Sequence, residues 1–291
     1  MTITDRQQAA GMMPLSEPPS SPQGWLARLE LSFAERDALT YLRTNRHTGP
    51  LRLQRVLYPE SAVCHACILH PPGGVVGGDR LEIHTAVEAS ASALITTPGA
   101  TKFYRSGGAP AVQENYLEVQ EEASLEWLPQ ESIVYPGAVT TVSTRVNLAK
   151  GACFMGWEIL CVGLPACGQP FATGTLRNTL DIRRAGRPLF ADRLRLTDAD
   201  DRHRPTGLRG HSVSAIFIAT GCKPDMLTPL RQLFTIIPNT LTGITLMDDL
   251  LVARYLGECS SEAKTLFQAL WTWLRPYLSG RTACPPRIWA T

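Results

Sequence analysis

No stretch of this chain approaches the roughly 20 consecutive apolar residues that a bilayer-spanning helix needs, and its first residues lack a positive region followed by an apolar core. Those absences point to the cytoplasm. There is also no charge imbalance: 28 Lys and Arg stand against 26 Asp and Glu, a net charge of +2. No overall field therefore favours nucleic acid or an anionic membrane. Motifs of catalysis are missing as well, with no G-x-S-x-G, no recognisable Cys or Ser nucleophile motif and no H-E-x-x-H. The eight cysteines (64, 67, 153, 161, 167, 222, 259, 284) are scattered without a secretion signal. They read as reduced thiols, several buried as small hydrophobes, and not as a disulfide framework. What is present is 44% hydrophobic residues over 291 positions, ample for the core of one large all-β domain or two smaller ones.

Residues 1 to 24 carry Met, Pro, Ser and Gln without apolar periodicity, which predicts a disordered tail. A single domain is expected from 25 to 291. Up to about residue 195 short runs alternate with period two, such as Arg28 to Phe33 and Asn115 to Gln120, between Gly and Pro clusters. Convincing helical spacing appears only late, over Asp225 to Phe234 and over about Ser261 to Ser279, with Ser260 or Ser261 as N-cap and Pro276 bending the last turn. The apolar stripe of the second helix is first of all core; a face for a partner is the alternative, with Trp271, Trp273 and Leu274 as its surface.

A weak internal repeat lies within the β region. Ser92 to Thr101 lines up with Ala123 to Ser132 at an offset of 31, and Cys153 to Glu158 continues it loosely at 30. Periods of that size are a sign of stacked coils. The expected fold class is therefore mainly β, a β-solenoid or layered sheets with a few helices, two of them near the C-terminus. Stacking at that offset would gather Thr101, Ser132, Glu126 and Glu158 along one flank.

The run His70-Pro71-Pro72-Gly73-Gly74-Val75-Val76-Gly77-Gly78-Asp79 holds four glycines and two prolines in ten residues. It has to be a built turn ending on one carboxylate, Asp79. Phosphate binding does not fit, because the run has no Lys and leads into the strand-like Leu81 to Thr85 and not into a helix. A tight connection between strands is the default.

Cys64-His65-Ala66-Cys67-Ile68-Leu69-His70 offers soft and borderline metal ligands. Read as a strand, it puts only His65 and Cys67 on a shared face, and no second C-x-x-C or H-x-x-x-H follows at zinc spacing. A transient metal contact through His65, Cys67 or His70 is the surviving metal reading; packing is the ordinary one. Several carboxylates sit among apolar residues: Glu126, Glu131, Glu158 and Asp192. Burying any of them requires a partner, a hydrogen bond or a cation, and Arg193, Arg195 and Arg105 are candidate partners. Residues 198 to 212 read as a charged loop with solvated His203 and His211. A carboxylate-dependent hydrolase using Asp79, Glu131 or Glu158 remains as an alternative function.

The ordered set of segments resembles the urease accessory protein family UreD, also called UreH. The segments are Cys64-His65 with Leu69 to Asp79, Thr97-Pro98-Gly99-Ala100-Thr101-Lys102-Phe103-Tyr104-Arg105, Leu125-Glu126-Trp127-Leu128-Pro129-Gln130-Glu131, Pro136-Gly137-Ala138, and the terminal Pro286-Arg287-Ile288-Trp289-Ala290-Thr291. The resemblance covers roughly residues 25 to 291. It implies a non-enzymatic scaffold that binds apo-urease and recruits UreF and, through it, the GTPase UreG. No cofactor is permanently bound; Ni²⁺ is a passenger, conducted along an internal polar route. Asp79, Thr101, Glu158 and Asp192 are carried over to that route, and Glu126 and Glu131 join them as candidates.

Overall fold

The structure, a computed structural model, describes residues 24–197, 200–234 and 240–290. The expected tail, Gly24 apart, and two residues of the charged loop lie outside the described residues. In chain order the strands are β1 (Leu26–Arg36), β2 (Leu39–Thr48), β3 (Arg52–Leu53), β4 (Cys64–Leu69), β5 (Arg80–Val87) and β6 (Ser92–Thr96). They continue with β7 (Thr101–Phe103), β8 (Ala111–Val119), β9 (Ser124–Trp127), β10 (Ser132–Val134), β11 (Val139–Leu148) and β12 (Cys153–Val162). The last are β13 (Thr175–Arg184), β14 (Arg187–Leu196), β15 (Val213–Ala219), β16 (Leu241–Met247) and β17 (Leu250–Gly257). Two α-helices complete the set, α1 (Leu227–Gln232) and α2 (Ser260–Ser279).

From β4 to β13 the chain deals its strands in turn to two facing sheets, one to the first sheet after each one or two to the second. The first has the order β14-β13-β11-β8-β5-β1-β2, and the second β16-β17-β15-β12-β9-β6-β4-β3. The successive pairs β1–β5–β8–β11–β13 and β4–β6–β9–β12 are all parallel, as is the short β7–β10–β12 row. Parallel pairing of consecutive turns is the geometry of a solenoid. Antiparallel hairpins close it, β1–β2 at one end and β13–β14, β15 and β16–β17 at the other.

The repeat seen in the sequence is thus real, but its register differs. Ser92 pairs with Ser124 and Ser124 with Cys153, offsets of 32 and 29. Because side chains alternate along a strand, a slip of one residue exchanges faces. Leu94 therefore stands beside Glu126, not Leu125. The consequence reaches the carboxylates: Glu126 and Glu158 lie on opposite faces of the second sheet and share no flank. Thr101 and Ser132 do stand side by side.

Two cores follow from this alternation. Leu125, Trp127, Phe154, Leu160 and Val162 turn inward to meet Leu29, Leu117, Val146 and Ile182 of the first sheet. Their neighbours Met155, Trp157, Ile159 and Phe217 turn outward onto Phe267, Leu270, Trp271 and Leu274 of α2. Strand β6, covered on both sides, is buried at all five positions and shows no alternation. The result is three layers, sheet, sheet and helix.

The second helix begins at Ser260, so its N-cap is Cys259, one residue before the first expected cap, with no side-chain bond there. It runs through Pro276 and stops at Gly280, whose φ of 67° takes the left-handed turn. Trp271 and Leu274 are fully buried. They form core and offer no surface; the exposed aromatic is Tyr277, stacked on the half-buried Trp273 at 4.5 Å. No helix among the described residues is long and apolar enough to cross a membrane.

Candidate functional site

Between the two sheets lies a cavity of about 300 Å³. Its lining begins at exposed Gly73, Pro98 and Gly99 and reaches buried Asn115, Asn178 and Trp127. Three of the sequence candidates border it: His70, Thr101 and Glu158.

The glycine-rich turn shapes the entrance. Gly73 and Gly78 have φ of 76° and 98°, which L-residues rarely adopt. Gly74 serves a different need, since a Cβ there would collide with the Tyr104 ring. Asp79 closes the turn, accepting from the Trp25 and Val76 amides at 3.0 Å each. It is 7% exposed, and its charge is felt at His70. There burial pushes the imidazole pKa down against that pull.

Glu158 is the cavity's carboxylate. It stands on β12 opposite the first sheet, accepts from Asn178 Nδ2 at 3.0 Å and has the Thr144 hydroxyl as a second polar neighbour. Burial raises its pKa, opposed by those two hydrogen bonds and reinforced by the charge of Asp192. Asp192, at the edge on β14, is bound at 2.7 Å by Arg254 of β17 and so bridges the two sheets. Its partner is not one of the arginines expected from the sequence: Arg193 pairs with Asp181 at 2.6 Å. The sequence order gave no sign of Arg254, which lies 62 residues away.

The remaining candidates are elsewhere. Glu131 gives its backbone carbonyl to the Thr101 amide at 2.9 Å and its charge reaches Lys264 of α2. His65 and Cys67 share the outer face of β4 as expected, lining a small cleft with Pro286 and Arg287. His65 contacts Glu60 at 2.5 Å, and burial lifts the Cys67 thiol to about 11. Glu126 faces α2, where Trp271 donates its indole N–H to it and Arg275 Nε binds it at 3.1 Å. Arg275 in turn clamps Glu60 at 2.6 Å through both terminal nitrogens. Glu60 and Arg275 were missed in the sequence; Glu60 is an ordinary charged residue of a loop, and the one signal was that Arg275 interrupts the apolar run of its helix. His211, expected to be solvated, meets Glu258 at 3.2 Å, whereas His203 is exposed. Among the described residues no three His, Cys, Asp or Glu side chains are grouped to hold a metal ion.

The terminal motif has a structural place too. Trp289 donates to Thr96 Oγ1 at 2.9 Å and packs on Trp157 and Trp271. So the segments that carry the resemblance, Pro136-Gly137-Ala138 apart, contribute to two places, the cavity mouth and the seam beneath α2. The profile of the family described as UreD urease accessory protein matches residues 26–290. The chain belongs to the UreD family. A protein of Pseudomonas entomophila (strain L48) named urease accessory protein UreD is 42% identical over 275 residues, 94% of this chain and 98% of that one. Proteins of the same name from Dechloromonas aromatica (strain RCB) and Azoarcus sp. (strain BH72) are 42% and 43% identical, over 96% and 92% of this chain and 99% and 95% of theirs. As a UreD-family member the chain is a urease accessory protein.

Proposed function

We propose that this chain acts without catalysis of its own, as a scaffold that binds apo-urease, engages the partners UreF and the GTPase UreG, and conducts nickel toward the urease active site through the cavity between its sheets. The observation that carries the route is Glu158, one half-buried carboxylate with neutral polar neighbours on the wall of an inter-sheet cavity. A single carboxylate among hydroxyls and amides suits transit: oxygen donors accept Ni²⁺ in company with water, and too few of them converge to trap it. Thr101 and His70 extend the polar lining toward the Gly-rich mouth. Asp79 shapes that mouth, and Asp192 holds the far edge through Arg254. Glu126 and the His65 and Cys67 cleft, being on the helix side, serve the architecture in this reading. The hydrolase alternative loses ground on geometry, because Asp79, Glu131 and Glu158 occupy three different places.

The test is urease nickel content and activity in a host carrying the other urease genes without its own UreD. Wild-type chain should restore both; Glu158→Gln should restore neither, while still co-purifying with its partners. Equal restoration by the variant would keep the scaffold and remove the route.

A further inference from the structure

The inner wall of the cavity is a hydrogen-bond chain with one direction. Gln113 Nε2 donates to Asn115 Oδ1 at 3.3 Å, and Asn115 Nδ2 donates to Thr144 Oγ1 at 3.0 Å. The Thr144 hydroxyl then faces the Glu158 carboxyl, to which Asn178 Nδ2 also donates at 3.0 Å. Each of these three amide nitrogens gives one of its two N–H groups to the wall itself. Two acceptors of the wall, Gln113 Oε1 and Asn178 Oδ1, are buried without any partner. Asn178 is only 5% exposed, so this is not a solvated amide. A buried acceptor without a donor is costly. Both oxygens suit a ligand that donates.

Size and spacing narrow the ligand. Gln113 and Asn178 both stand in register with Val142, on the strands flanking β11. Strands so placed are about 10 Å apart. An octahedral divalent ion carries its waters at about 2.1 Å, and each water reaches an acceptor at about 2.8 Å. Acceptors served by two waters of one hexaaqua ion therefore stand no more than about 10 Å apart, a reach that spans two amides on one wall, either side of Val142. Six waters occupy about 180 Å³, which the cavity of about 300 Å³ accommodates. Direct coordination, by contrast, finds no group of three His, Cys, Asp or Glu among the described residues.

We propose that Gln113, Asn178 and Glu158 hold a hydrated divalent cation by its water ligands, an outer-sphere station inside the cavity. This rests on the nickel route proposed above and adds that the ion crosses without losing its water. The probe is hexaamminecobalt(III), whose six ammine ligands donate N–H and do not exchange during the measurement. The full chain, purified with the partners it co-purifies with, is titrated with Ni²⁺ and with the cobalt complex at 0.15 M salt, where surface charge is screened.

The expected result is mutual competition for one site, weakened tenfold or more in Gln113→Leu/Asn178→Leu. Gln113→Glu/Asn178→Asp keeps size and oxygens and should bind the cobalt complex at least tenfold tighter, which preserves the test if the leucine variant does not fold. Nickel binding that the cobalt complex cannot displace would mean direct coordination, overturning the station and leaving the route intact. No binding of either ion would overturn both, and so would competition untouched by both variants for the station alone.

Discussion

Arg275 on α2 and Glu126 on β9 meet in the interior at 3.1 Å although 149 positions separate them in the chain. The guanidinium, 0% exposed, also holds Glu60. One buried cation thus serves two carboxylates, Glu126 buried and Glu60 half-buried, and fixes the helix to the sheet. Removing one member of such a group strands the others without a counter-charge. Arg275→Met should cost about 3–5 kcal/mol in chemical denaturation. Adding Glu60→Gln and Glu126→Gln to it should recover a large part; a triple variant as unstable as the single one would refute this account.

The same group predicts a pH dependence. Burial opposes ionisation of Glu60, but hydrogen bonds from His65 and Arg275 and the Arg275 charge hold its pKa below the ordinary 4.5. Its contribution is then present above 4.5 and lost as pH falls through the lower folded value. Glu126 has the opposite sense: burial raises it, so stability is withdrawn as pH climbs from 4.5 through its higher folded value. Glu60→Gln should flatten the decline of Tm below pH 4.5, and Glu126→Gln the change above it. Profiles parallel to wild type in both would contradict the assignment.

The glycine turn separates two kinds of strain. Gly73 has φ of 76° with nothing within 4 Å of its missing Cβ, so Gly73→Ala should cost only the left-handed backbone, about 1–2 kcal/mol. Gly74→Ala drives a methyl into the Tyr104 ring, which packs edge-on against Tyr135 at 4.9 Å. That overpacking should cost about 1–3 kcal/mol and disturb aromatic near-UV circular dichroism, which Gly73→Ala should leave unchanged.

Thiol chemistry gives a fourth check. Cys167 is exposed, while burial lifts Cys64, Cys67, Cys153 and Cys161 to about 11 and Cys222 to about 12. A thiol-specific reagent at pH 7.5 should modify Cys167 first in the native protein, since the thiolate is the reactive form. Mass spectrometry finding Cys64 or Cys222 labelled as fast would be inconsistent with this fold.

Much of the fold was legible because solenoid coils repeat locally: alternation marked β1 and β8, and the near-30 offset marked the stacking. What failed was register, since Leu94 aligned with Leu125 by residue type whereas the strands pair it with Glu126. Side-chain identity repeats loosely, but the pleat has period two, so a single-residue error moved Glu126 into the wrong compartment. The site was legible as far as motifs reached. Asp79 and Thr101 stood in them and Glu158 closed the last repeat; Asn178, Gln113 and Arg275 did not, and nothing local names the distant residue that each one meets.

Strand stacking from β4 to β13 proceeds in the order in which the chain is made, but the helix that covers the second sheet comes last. Arg275 reaches back 215 positions to Glu60 and Trp289 reaches back 193 to Thr96. At about 5–20 residues per second of synthesis, the coils can assemble while the apolar face bearing Trp157 and Phe217 still waits for its cover. Completion therefore waits until α2 and the segment bearing Trp289 have been made, and in the interval before it the nascent chain presents an uncapped hydrophobic face to its surroundings.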